Sequence, residues 1–180
     1  PWEVKTGGGT PFKVYTPFSK ACFAAPAPPL PLAAPKELVC VESIASDALD
    51  SWRLLPTKPD WAGGMRTFWK VSEGAAQERL THFIDHAICD YKTARDVPDG
   101  DTTSRLSPYL HFGQISPRQV WHAAQNALAQ KPELGVNAET FLKEILWREF
   151  SYHLLYHIPN LPDEPLQKQF AHFPWRQDAE

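Results

Sequence analysis

The stretch FLKEILWREFSYHLLYH, residues Phe141 to His157, decides how this chain is read. At helical spacing Glu144, Trp147, Arg148 and Ser151 fall at i, i+3, i+4 and i+7, so one stripe carries an acid, an indole, a guanidinium and a hydroxyl. Leu146, Phe150, His153, Leu154 and His157 form a neighbouring, mostly apolar stripe of the same period. Asn137 stands where a cap is expected and Pro159 stops the run, which predicts a helix from Asn137 or Ala138 to His157. A surface pair of Glu144 with Arg148 contributes only about 0.2–0.5 kcal/mol, and core packing by itself accounts for Trp147. Both accounts meet one difficulty: the indole lies between two charges, so either the charges approach the core or the indole approaches solvent. An indole beside a guanidinium suits a site that stacks on a planar ring and grips an anion. His153 and His157 have the i,i+4 spacing of metal ligands, but no third ligand accompanies them, and helix packing accounts for both.

Outward from that helix, DTTSRLSPYLHFG (Asp101–Gly113) places four hydroxyls, on Thr102, Thr103, Ser104 and Ser107, around Arg105 and just before a Ser-Pro helix start. Two readings fit. A helix N-terminus with hydroxyls seats a phosphate or diphosphate, or the hydroxyls only satisfy their own backbone. Ser107-Pro108 predicts a short helix stopping at Gly113, and Ser116-Pro117 predicts another reaching about Gln130, with serine as cap and proline at the first helical position. Leu80, Phe83, Ile84, Ala87 and Ile88 repeat at helical spacing, predicting an amphipathic helix over 73–90. No strand pattern occurs after residue 60, so the last two thirds read as helical, with 161–180 a loop that packs against other parts.

The first third differs. Five prolines between Pro26 and Pro35, in PAPPLPLAAP, predict a semi-extended linker. The glycines of TGGGTPFKVYTPF (residues 6–18) predict a connecting loop, with Phe12–Tyr15 a short extended piece. The 180 residues are 43% hydrophobic and 22% charged, which suits a packed core and excludes global disorder. The net charge of −3 and a pI near 6.2 leave no bulk footprint for nucleic acid, so any such contact must come from a local patch. Cys22, Cys40 and Cys89 show neither a disulfide framework nor zinc spacing, in keeping with a reducing compartment. No apolar run is long enough to span a membrane. A chain starting Pro-Trp-Glu-Val reads as a piece of something larger.

TGGGTPFKVYTPF, TTSRLSPYLHFGQISPRQVW and FLKEILWREFSYHLLYH together resemble the DNA photolyase/cryptochrome family, and more narrowly its bacterial class I cyclobutane pyrimidine dimer photolyases. The resemblance implies a mainly α fold: an interdomain connector over 1–60, then over 61–180 the first part of an all-helical FAD-binding domain. The antenna domain, with a folate or deazaflavin chromophore, and the rest of the helical domain lie outside this stretch. It further implies that Tyr91, Thr103, Ser104, Arg105, Leu106, Ser107, Phe141 and Arg148 contact FAD, reduced and anionic in the active form. Arg95 matches a contact to the DNA backbone. Residues Glu144, Ile145, Leu146, Trp147, Arg148, Glu149, Phe150 and Ser151 match the family's DNA-interacting stretch, in which Glu144 and Trp147 face an extruded pyrimidine dimer and are implied to be catalytic. Phe141 stands where tryptophan is frequent, and Ser19 where an aromatic is.

The resemblance also implies a monomeric, cytoplasmic bacterial lyase acting on DNA that contains pyrimidine dimers, with no metal. This stretch by itself is expected to hold FAD weakly and to fold poorly. The alternative within the family is a blue-light signalling flavoprotein of the cryptochrome type. Glu144 with Trp147 favours repair, and glutamine in place of Glu144 would favour (6-4) lesions. A helical interaction module with a Pro-rich arm explains PAPPLPLAAP but not the TSRLSP loop beside the acid–indole–arginine stripe.

Overall fold

The computed structural model describes residues 1–41, 44–174 and 176. Among these there are helices and turns and no strand, the architecture expected of part of a photolyase helical domain. Seven α-helices occur in order: α1 (Tyr15–Ala24), α2 (Gly63–Phe68), α3 (Glu73–His86), α4 (Tyr91–Ala94), α5 (Ser107–His111), α6 (Pro117–Gln130) and α7 (Gly135–His157). Short 3₁₀ turns lie at Leu49–Trp52, Ile88–Asp90, Pro132–Leu134 and Lys168–His172.

Two helices begin at a serine cap, and one of these caps, Ser116, is a start that the sequence marks. Ser72 accepts from the Ala75 N–H and begins α3. Ser116 and Gln119 exchange bonds in a capping box over Pro117 and begin α6. Ser107 behaves differently: it is the first residue of α5, and the preceding Leu106 stands at the cap without a side-chain bond. Asn137 does not cap α7 either, because the 3₁₀ turn before it starts the helix at Gly135. One turn in, Asn137 ties another segment down: its Oδ1 accepts from Lys92 N–H at 2.8 Å and its amide donates to the Cys89 carbonyl. The run over 73–90 breaks at Ala87 and finishes as the 3₁₀ turn Ile88–Asp90.

The largest departure is α1, where an extended piece and loop were expected. Pro17 sits in its first turn, where a missing N–H costs nothing because no carbonyl precedes it to bond. Pro26 comes just after its end. The GGG loop closes on itself, Thr6 N–H bonding the Thr10 carbonyl and Gly9 N–H the Thr6 carbonyl, with Gly9 at φ +77°. That is a connecting turn, as the glycines predict.

α7 is the organising element and packs against α1, α4 and α6. Two cores meet along it. The main one joins α3, α6 and the first half of α7 through Leu80, Phe83, Leu106, Val120, Phe141 and Leu142. The smaller one is Phe12, Phe18 and Phe150, which seats α1 on the second half of α7. His153 is buried there; its Nε2 accepts from the Phe12 N–H and its Nδ1 donates to the Pro1 carbonyl, each at 3.0 Å. His157 bonds the Trp2 carbonyl at 3.0 Å. Both imidazoles serve packing, and no group of metal ligands occurs among the described residues. None of the described helices is long and apolar enough to cross a membrane.

Candidate functional site

Five side chains of α7 (Phe141, Glu144, Ile145, Arg148 and Tyr152) line a cleft of about 620 Å³. The remaining lining comes from Tyr91 and from Thr103, Ser104, Arg105, Ser107, Leu110 and His111. The residues that share this cleft are thus drawn from three separate pieces of sequence, and they include every cofactor candidate except Leu106. Leu106 is buried directly beneath, where it anchors the loop in the main core.

The loop from Asp101 to Leu106 is held from behind by Arg79, a residue that no sequence motif marks. Its Nε donates to the Ser104 carbonyl at 3.0 Å, and one terminal nitrogen to the Thr103 carbonyl at 2.9 Å. The same guanidinium pairs with Asp101 at 2.6 Å. That hydrogen bond, ahead of the nearby Arg105 and His82, holds the Asp101 carboxyl below its usual range. Thr102 donates to the Ala94 carbonyl and Ser104 Oγ accepts from the Leu106 N–H at 3.4 Å, so both hydroxyls have local partners; Thr103, Ser104 and Ser107 line the cleft. Arg105 adopts φ +50°, a conformation uncommon for a residue with a side chain. Its guanidinium lies 5.4 Å from the Phe68 ring and 3.2 Å from Asp101. A five-residue helix such as α5 carries little macrodipole, so anion attraction here falls to the hydroxyls, Arg105 and Arg148.

Two aromatic rings complete the lining. Phe141 is buried, 4.5 Å from the Phe83 ring, and Tyr91 packs edge-on to it at 5.4 Å. Burial, and after it the neighbouring Glu144, raises the Tyr91 phenol above its ordinary pKa. Glu144 forms an ion pair with Arg95, whose own pKa rises chiefly through that hydrogen bond. The residue matched to a DNA-backbone contact, Arg95, and one of the two matched to the extruded dimer, Glu144, therefore face each other between the end of α4 and α7.

The acid–indole–guanidinium stripe of α7 is divided in the structure. Glu144 and Arg148 turn toward the cleft, whereas Trp147 leaves it and stacks on Tyr15, with ring centroids 3.6 Å apart and planes within 8°. Trp147 remains 47% exposed. Ser151 bonds back to the Trp147 carbonyl and faces solvent, and Glu149 pairs with Arg148 at 2.6 Å. Ile145, Leu146 and Phe150 are buried; Ile145 lines the cleft and Phe150 belongs to the smaller core. Within 144–151, Glu144, Trp147, Arg148, Glu149 and Ser151 are thus the side chains that reach solvent to a useful extent.

The donor set fits a dinucleotide flavin: hydroxyls and two guanidiniums for phosphates, with aromatic and aliphatic side chains beside them for a ring system. Residues 141–180 match the family model described as the FAD binding domain of DNA photolyase. The chain is 41% identical over 179 residues to a deoxyribodipyrimidine photo-lyase of Agrobacterium fabrum, covering 99% of this chain and 37% of that protein. A deoxyribodipyrimidine photo-lyase of Synechococcus is 40% identical over 183 residues, and cryptochrome-1 of Arabidopsis thaliana 32% over 192. The crystal structure of a bacterial class III photolyase from Agrobacterium tumefaciens superposes with a TM-score of 0.87 at 41% identity, over 97% of this chain and 36% of that one. The motifs alone resemble class I and the solved neighbour is class III; the family is common to both. The chain spans little more than a third of the length of these photo-lyase relatives. By sequence and by fold it belongs to the DNA photolyase/cryptochrome family.

Proposed function

We propose that the protein containing this chain is a deoxyribodipyrimidine photo-lyase, which uses blue light to split cyclobutane pyrimidine dimers in DNA. The observation that carries the reading is the juxtaposition on α7 of a hydroxyl- and guanidinium-lined cleft with a part-exposed acid and an exposed indole. Reduced, anionic FAD, when bound, would supply the photo-excited electron. Thr103, Ser104, Ser107, Arg105 and Arg148 would hold its phosphates, and Tyr91 and Phe141 its rings. Trp147 offers a flat apolar face to a base taken out of the stack, a displacement that costs least at a damaged, weakly paired step. Glu144 offers a carboxylate to a base edge, and Arg95 beside it a cation to the adjacent backbone phosphate. Residues 1–60 would be a connector, and 61–180 part of the helical domain of a cytoplasmic monomer.

The test is blue-light repair of a thymine-dimer oligonucleotide by the flavin-loaded protein. Repair is expected only in light, with Trp147→Ala weakening lesion affinity at least fivefold, since stacking on an aromatic is worth about 1–3 kcal/mol per base. The likeness to cryptochrome-1 over 99% of the chain supports a second reading, a signalling flavoprotein. Bound flavin with no repair and no lesion affinity would establish that one instead.

A further inference from the structure

We propose that Tyr15 is a positioning residue for Trp147. Its ring covers one face of the indole and fixes the plane of the other for an extruded base. The inference rests on the repair reading above, and adds to it a residue far in sequence from the hydroxyl loop and the α7 stripe that mark the site.

The stack is close and nearly parallel, at 3.6 Å and 8°. Tyr15 is itself held in two ways. Its hydroxyl donates to the Lys143 carbonyl at 2.7 Å. In an α-helix that carbonyl also accepts the N–H of Trp147, so the phenol is tied to the turn that carries the indole. The Phe150 ring then meets both partners edge-on, at 5.9 Å from Tyr15 and 6.0 Å from Trp147. Phe150 belongs to the small core that anchors α1, so Tyr15 is placed by packing that does not involve Trp147.

With one face covered, Trp147 still exposes 47% of its surface, which leaves its other face and edge available to a planar partner. A tryptophan standing alone on a helix surface samples several rotamers and must give them up on binding. One already clamped between a stack and an edge contact has less freedom to lose, so binding becomes tighter. A base meeting this indole would extend a two-ring stack into three. Since the indole's plane matches the Tyr15 plane, α1 sets the angle at which that base is received.

The experiment measures affinity for a thymine-dimer oligonucleotide and for its undamaged counterpart, using the flavin-loaded protein. The variants are Tyr15→Met, Tyr15→Phe, Trp147→Ala and Tyr15→Met/Trp147→Ala. Tyr15→Met keeps an apolar side chain of similar reach under Phe150, which protects the packing of α1. It is expected to weaken lesion affinity about three- to tenfold, the scale of one aromatic pair, while undamaged DNA is bound as before. Tyr15→Phe retains the ring and should restore most of the loss. In the Trp147→Ala background Tyr15→Met should have no further effect, because it acts through the indole. A Tyr15→Met loss of equal size with and without Trp147 would overturn the inference, as would wild-type lesion affinity in Tyr15→Met while Trp147→Ala is weak. If Tyr15→Met does not fold, Tyr15→Phe and Tyr15→His decide instead: a planar ring that fails to preserve lesion affinity in a folded protein overturns it equally. Trp147→Ala with full lesion affinity would strike at the repair reading rather than at Tyr15.

Discussion

The cleft and the Tyr15–Trp147 stack are served by one helix, yet they are assembled differently. The cleft is built around a loop whose parts are near in sequence: Asp101, Thr103, Ser104 and Arg105, pinned from behind by Arg79. Its apolar side is continuous with the main core through Phe141 and Leu106. The stack joins residues 132 positions apart (147 − 15), and depends on a separate core of three phenylalanines. A helix can therefore present two chemistries by turning one stripe inward to a loop and letting the neighbouring indole lean on a different segment. The cleft holds its shape by polar ties to backbone, whereas the stack holds its shape by ring packing and one phenol hydrogen bond.

The sharpest way to break the comparison is Phe141→Ala. Phe141 lies in the main core and in the cleft at once, so its loss is expected to cost about 3–5 kcal/mol of stability and most of the flavin affinity. Urea unfolding and flavin titration of the purified protein would measure both. Phe18→Ala removes the centre of the smaller core, fully buried between Phe12, Phe150 and His153. Here about 3 kcal/mol is expected, and most of it should be local. Amide exchange should rise across 15–24 while α3 and α6 stay protected. Equal loss of protection in all three would mean that the two cores unfold as one unit. The smallest effect concerns pH. Arg79 holds the Asp101 carboxyl below its unfolded value, so its contribution is present above pH of about 4 and is lost as pH falls through the lower folded value. The pair is part-exposed, at 20% and 46%, and screened, so less than about 1 kcal/mol is at stake. Asp101→Asn should flatten that acid limb in a pH series of thermal unfolding, and leave stability at neutral pH slightly lower.

Local signals in the sequence read correctly where one short segment sets the outcome. Ser116-Pro117 with Gln119 makes its own capping box, PAPPLPLAAP excludes helix and ladder, and Pro159 ends α7. The same kind of reading fails where a distant partner competes. Asn137 has the chemistry of a cap, but Lys92 and Cys89 claim its side chain. Ser107 looks like a cap, but Leu106 takes the cap position and Ser107 is already the first helical residue. Tyr15 begins a helix in a stretch that reads as a loop with a short extended piece, because apolar burial of Phe18 against Phe150 outweighs weak propensity.

The sequence by itself determined the helical class, the Ser-Pro start of α6, the linker and the residues of the hydroxyl loop. It also determined that Glu144, Trp147 and Arg148 share one helix, since all of these depend on residue type and short-range spacing. Only the tertiary structure decided which way each of the three points. Arg79 behind the loop, Arg95 opposite Glu144 and Tyr15 against Trp147 are neighbours through the packing of distant segments on α7, and no spacing rule relates residues that meet only when the cores close.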